Sequence, residues 1–238
     1  MFGMNDNNFD HLQYFSGIAQ KYLDFLLQNN RRQASRLILD TVEKGVTVHD
    51  IYLKVFQPVQ HEIGRLWQTN QISVAQEHFC TAATQMIMSQ LYPYIFTSEK
   101  NGHKLIATCV GGELHEIGVR MVADFFEMDG WDTYYLGANT PAESIIQTIE
   151  AVKGDILAVS ASMTFNINET RRLIDKVKDA DPGKRVRVLV GGRPFNLAQD
   201  LWQSVNADGY APDAQKAIQV AGMLLNKPES TGAKHANK

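Results

Sequence analysis

His115 stands between Glu113 and Glu116 in the stretch "GGELHEIG", residues 111–118, after an apolar run and before an amphipathic one. An imidazole in that setting has three possible roles. It can be a surface histidine near a helix N-terminus, with no chemistry of its own. The glycines around it can form an anion-cradling loop. The G-x-G-x-x-G spacing is absent, however, and Glu113 and Glu116 would repel a phosphate. Or His115 can give one ring nitrogen to a transition metal while Glu113 accepts a hydrogen bond from the other nitrogen and fixes the ring. A single imidazole holds a bare ion poorly. It can hold a metal that arrives caged in a macrocycle.

Other chemistry-bearing residues recur at intervals. Ser160 and Ser162 occur in "SASM", Gly191 and Gly192 in "VGGRPF", and Tyr210 in "ADGYAPDA". Trp67 is followed after nine residues by Glu77 and His78.

The elements that must position these residues differ between the two halves. Up to residue 98 apolar residues recur at three and four positions, the helical period. Four helices follow from it, with Gly45 ending the second and Thr47 capping the third. Pro58 should bend or break that third helix. Ser73 and Gln76 form a capping-box pattern at the start of the fourth. From Lys104 short apolar strands alternate with amphipathic helices, the first of which is expected over 115–130 and ends at Gly130. The expected fold is α/β plus all-α: an N-terminal four-helix bundle over 8–98, then a Rossmann-like, doubly wound, five-stranded parallel sheet over 103–226. Residues 227–238 lack apolar periodicity and read as a disordered tail. Ligands of such sheets bind beyond the C-terminal strand ends, where His115, Ser160 and Gly191 fall.

Composition narrows the function. The chain has 238 residues, 44% hydrophobic and 21% charged, with a formal net charge of −3. That disfavours a polyanion-binding surface, so direct DNA binding is not expected. No apolar run approaches a membrane span and no secretory signal is visible, so a cytoplasmic location is expected. Cys80 and Cys109 lack metal-type spacing and read as buried thiols.

Residues 104–226 resemble the cobalamin-binding domains that take up the cofactor with its own base displaced and a protein histidine as lower cobalt ligand. Glu113, His115 and Gly118 match the acid-x-His-x-x-Gly element, Ser160 the following serine, and Gly191-Gly192 the later glycine pair. "GWDTYYLGANTP" and "ADGYAPDA" resemble that family's intervening segments. The resemblance implies that His115 ligates the cobalt, that Glu113 orients it, and that Glu116, Ile117, Gly118 and Tyr210 line the site. Ser160 and Ser162 would offer hydroxyls to the displaced base, although that family usually has an apolar residue where Ser162 stands. Gly191-Gly192 would leave a slot for the nucleotide tail.

Trp67 with Glu77-His78 resembles the signature of adenosylcobalamin-dependent light sensors, best known as repressors with a DNA-binding domain in front. The resemblance implies that Trp67 stacks on the adenosyl group and that Glu77 and His78 line its pocket. Gln68 stands where those sensors carry a histidine, which leaves His78, water or, less directly, His61 to take cobalt's upper position. The expected function is therefore a non-enzymatic cobalamin light sensor that signals to a protein partner, such as a transcription regulator, or through homo-oligomer formation. The competing reading is a corrinoid methyl-carrier subunit of a methyltransferase system. A mutase-type subunit would need a catalytic barrel that is absent. A bilin as second chromophore stays open.

Overall fold

The computed structural model describes residues 6–226 except 97, 182–184 and 199, with side chains described from residue 13 onward. The tail expected over 227–238 lies outside the described residues. Two compact units divide between Ser98 and Glu99.

The first unit is helical: α1 (Asp6–Leu27), α2 (Arg31–Glu43), α3 (Val48–Ile51), a π-helical turn (Tyr52–Phe56), α4 (Gln57–Gln68), α5 (Val74–Gln90) and α6 (Tyr92–Ile95). α3, the π turn and α4 run on without interruption, so four long helical runs form as the period predicts. Pro58 does not break the third. Its ring lacks an N–H and crowds the carbonyl of Lys54, and the chain widens just ahead of it: Gln57 N–H reaches Tyr52 O instead of the usual fourth-residue partner. At the start of α5 only half of the capping box forms. Ser73 Oγ accepts from Gln76 N at 3.2 Å, while the Gln76 side chain donates to Leu27 O at 2.7 Å and ties α5 to the end of α1. Inside, Thr84 Oγ1 donates to Cys80 O at 2.9 Å. Its single proton is thereby used, so Tyr22 O–H donates to Thr84 at 2.9 Å, as does Gln60 Nε2 at 2.7 Å. The buried Tyr22 and Thr84 hydroxyls are thereby both satisfied beside the Tyr52 and Phe56 rings.

The second unit alternates β1 (Lys104–Cys109), α7 (Ile117–Met128), β2 (Asp132–Gly137), α8 (Ala142–Val152), β3 (Ile156–Ser160), α9 (Ile167–Ala180), β4 (Arg187–Gly191), α10 (Arg193–Leu197), α11 (Leu201–Ser204), β5 (Gly209–Tyr210) and α12 (Ala214–Leu225). All strand pairs are parallel, in the order β2-β1-β3-β4-β5. Period-2 alternation sends Ile106, Leu157 and Val188 to a core with α8 and α9 residues Ile145, Ile149, Leu173 and Val177. It sends Leu105, Ala158 and Leu189 to the opposite core, with Val119, Ala123 and Phe126 of α7 and Ala217, Ala221 and Leu224 of α12. Helices therefore cover both faces, the doubly wound arrangement. α10 and α11 go beyond the sequence reading; at five and four residues they are too short to show a period. Winding reverses between β1 and β3, and the loops after those two strands meet at that switch point, where sheets of this kind take their ligands.

Candidate functional site

The loop after β1 carries Glu113 and His115 to that switch point. α7 begins at Ile117, not at His115 as its periodicity suggested, because Glu116 is the N-cap and the residues before it are occupied by loop bonds. Glu113 is only 1% exposed, whereas the His115 side chain is 45% exposed. The Glu113 carboxylate accepts on both oxygens. Oε1 takes His115 Nδ1 at 2.5 Å and His115 N at 3.0 Å. Oε2 takes Ser162 N at 2.7 Å, Met163 N at 3.3 Å and Asn166 Nδ2 at 3.0 Å. Burial alone would raise the carboxyl pKa. The hydrogen bonds from the His115 ring, Ser162 N, His115 N and Asn166 outweigh it and hold the value down to about 2. Glu113 is therefore a fixed anion, and the Nδ1 edge of His115 is committed to it. That leaves Nε2 as the ring atom suited to a metal.

The other expected site residues distribute around this pair. Glu116 Oε2 accepts from Ala138 N at 2.9 Å, joining the loops after β1 and β2. Ile117 is buried in the first turn of α7. A Cβ on Gly118 would meet nothing within 4 Å, so the start of α7 borders open space. Ser160 ends β3, in register with Cys109 and Gly191. Ser162 contributes its backbone N–H to Glu113, a role a hydroxyl reading overlooks. Gly191 and Gly192 do more than clear a slot. Gly192 has φ +104°, and a Cβ there would stand 2.1 Å from Ala161 O; one on Gly191 would stand 3.1 Å from Ala211 O. The pair is required by backbone packing between the ends of β3, β4 and β5. Tyr210 lies on edge strand β5, and its hydroxyl donates to Asn196 Oδ1 at 2.9 Å.

The other constellation lies in the helical unit. Trp67 is half-buried near the end of α4. Glu77 accepts from Thr81 Oγ1 at 2.9 Å, and His78 is an exposed side chain 3.6 Å from Glu77. His61 and Gln68 are exposed on α4. Cys80 and Cys109 are both buried free thiols, as expected, and burial raises the Cys80 thiol to about 11. Sequence reasoning missed Asn166, which is 5% exposed and donates into the Glu113 carboxylate. A buried asparagine must find partners, but its partner lies 53 positions away.

Residues 103–219 match the model described as the B12 binding domain, and residues 18–92 match a second model with the same description. The chain belongs to the B12-binding family. Both units of this B12-binding chain are thus accounted for. It is 25% identical over 195 residues to a corrinoid protein of Desulfitobacterium hafniense (strain Y51), covering 80% of this chain and 84% of that one. It is 26% identical over 197 residues to dimethylamine corrinoid protein 2 of Methanosarcina acetivorans, covering 79% and 88%. Its fold matches the solved monomethylamine corrinoid protein of Methanosarcina barkeri with a TM-score of 0.76, at 24% identity, over 87% of this chain and 97% of that one. The resemblance to light sensors drawn from Trp67, Glu77 and His78 finds no support in these relatives. The residues present fit a corrin-borne metal: one half-exposed imidazole fixed by a buried anion, beside open space at Gly118. No helix among the described residues is long and apolar enough to cross a membrane.

Proposed function

We propose that this chain is the corrinoid, methyl-carrying subunit of a methyltransferase system and is not itself the catalyst of transfer. The observation that carries the reading is similarity over about four-fifths of the chain to corrinoid proteins, two of them named for methylamines, with both B12-binding matches in place. This displaces light sensing as the preferred function, and a methyltransferase replaces a transcription regulator as the expected partner.

When bound, the cobalamin supplies a cobalt atom that accepts and gives up a methyl group. The chain's own residues hold and tune it. His115 would ligate the cobalt through Nε2. Glu113, kept anionic by its five donors, holds the ring in the Nδ1–H tautomer and strengthens Nε2 as a donor. That buried, hydrogen-bonded carboxylate would set how strongly Nε2 donates to a bound metal. The loops after β3 and β4, with Ser160, Ser162, Gly191 and Gly192, would receive the displaced base, and Glu116, Ile117, Gly118 and Tyr210 would line the remainder. Trp67, Glu77 and His78 would belong to the helical unit's B12-binding surface, without implying an adenosyl group.

The test loads the purified protein with hydroxocobalamin, reduces it, and adds a methylamine with a methylamine-specific methyltransferase. A carrier gains the methylcobalamin spectrum only when both are present. A protein inert in that assay that binds adenosylcobalamin selectively and changes its oligomeric state under green light would overturn the reading in favour of a sensor.

A further inference from the structure

The carboxylate of Glu113 is held from the β3 side, and its backbone is held from the other side by one residue. Asn139, in the loop after β2, accepts from Gly112 N on Oδ1 at 2.9 Å. Its own backbone N–H donates to Glu113 O at 3.2 Å. The two bonds bracket Glu113: one holds the Gly111–Gly112 peptide upstream of it, the other the Glu113–Leu114 peptide that follows it. Both hinge on left-handed backbone, with φ +51° at Asn139 and +78° at Gly112. Because β1 lies between β2 and β3, the His115 loop is clamped by its two neighbours in the sheet. Ala138 N on Glu116 adds support from the same β2 loop.

We propose that Asn139 is a positioning residue for His115: its side-chain oxygen fixes the Gly111–Gly112 peptide ahead of Glu113 and so sets the angle at which the imidazole meets the metal. Few residues can do this. The position needs a side chain that tolerates positive φ and places an acceptor one short reach from the backbone, which asparagine and aspartate do best. Glycine would keep the φ and the backbone N–H while deleting only the acceptor. The proposal rests on the reading of His115 as cobalt ligand, and the experiment separates the two.

Full-length wild type, Asn139→Gly and Asn139→Asp are loaded with cob(II)alamin and titrated with acid while the visible spectrum reports histidine ligation. Acid protonates the imidazole and releases it from cobalt, so weaker ligation fails at higher pH. Loss of one oriented hydrogen bond should weaken ligation about three- to tenfold in Asn139→Gly, raising the release midpoint by about half to one pH unit. Asn139→Asp, which restores the acceptor, should return within about twofold of wild type on the same reasoning. The thermal midpoint of the cofactor-free glycine variant should stay within about 4 °C of wild type, as expected for loss of a bond worth about 1 kcal/mol. A glycine midpoint equal to wild type, an aspartate no better than glycine, or a shift matched by wholesale loss of thermal stability would each overturn the role of Asn139. Wild type without histidine ligation at any pH would instead overturn the ligand reading on which it rests.

Discussion

Replacing Glu113 by glutamine tests how the site sets the imidazole. The substitution keeps the shape and removes one acceptor oxygen. All five groups facing the carboxylate are donors or, for His115 Nδ1, act as one: two at Oε1 and three at Oε2. A glutamine must aim its NH2 at one set. Turning it toward His115 sacrifices fewer bonds. His115 Nδ1 must then accept, and the ring proton moves to Nε2, the atom proposed to meet cobalt. The structure gives the scale. A carboxyl pKa lowered from 4.5 to about 2 corresponds to about 3 kcal/mol in favour of the anion. Loss of such an orienting carboxylate lowers metal affinity roughly 10–100-fold. Equilibrium titration with hydroxocobalamin, followed by absorbance, should show that loss in Glu113→Gln, with cobalamin that does bind lacking the histidine-ligated spectrum. Wild-type affinity together with a wild-type spectrum would refute the tautomer argument.

Further outcomes follow from the same geometry. Asn166→Asp places a second carboxylate against Glu113 and should raise its pKa strongly; cofactor-free protein should lose about 2 kcal/mol or more in urea unfolding at neutral pH, whereas an unchanged midpoint would show that Asn166 does not face the anion. Gly192→Ala should cost more than about 2 kcal/mol, because it adds positive-φ strain to contact with Ala161 O, while Gly118→Ala should leave stability within about 0.5 kcal/mol and act only on cofactor binding. In acid, the folded pKa of Glu113 lies below its ordinary value, so its stabilising contribution is complete above about pH 4.5 and is lost as pH falls toward 2. The stability gap between wild type and Glu113→Gln should therefore narrow across that window, measured by urea unfolding; a gap independent of pH would contradict it.

The alternation of β1 through α12 was legible because buried strands and amphipathic helices impose distinct periods, and Ile106 and Leu105 fall on opposite faces as period 2 requires. Glu113 and His115 were legible from type and spacing, and so was the hydrogen bond between them. The residues that complete the site were not. Asn139 and Asn166 reach it from loops after β2 and β3, and only the folded sheet brings those loops to β1. Gly192 was visible as a glycine, but its cause, a backbone passing 2.1 Å from where its Cβ would be, belongs to tertiary packing. The start of α7 was misplaced because His115 and Glu116 directly precede the apolar rhythm with no residue type to mark a boundary, while their groups are engaged elsewhere. Trp67 with Glu77 and His78 misdirected the function, since a spacing shared with sensors does not specify what the helical unit covers.

The central claim is that the His115 imidazole is the lower cobalt ligand. Electron paramagnetic resonance of cob(II)alamin bound to protein grown with 15N-histidine tests it directly. An axial 14N nucleus splits each cobalt line into three, and 15N splits it into two. Doublets in the labelled wild type that vanish in His115→Ala are predicted; triplets that survive the labelling would mean that the cofactor's own base remains on the metal.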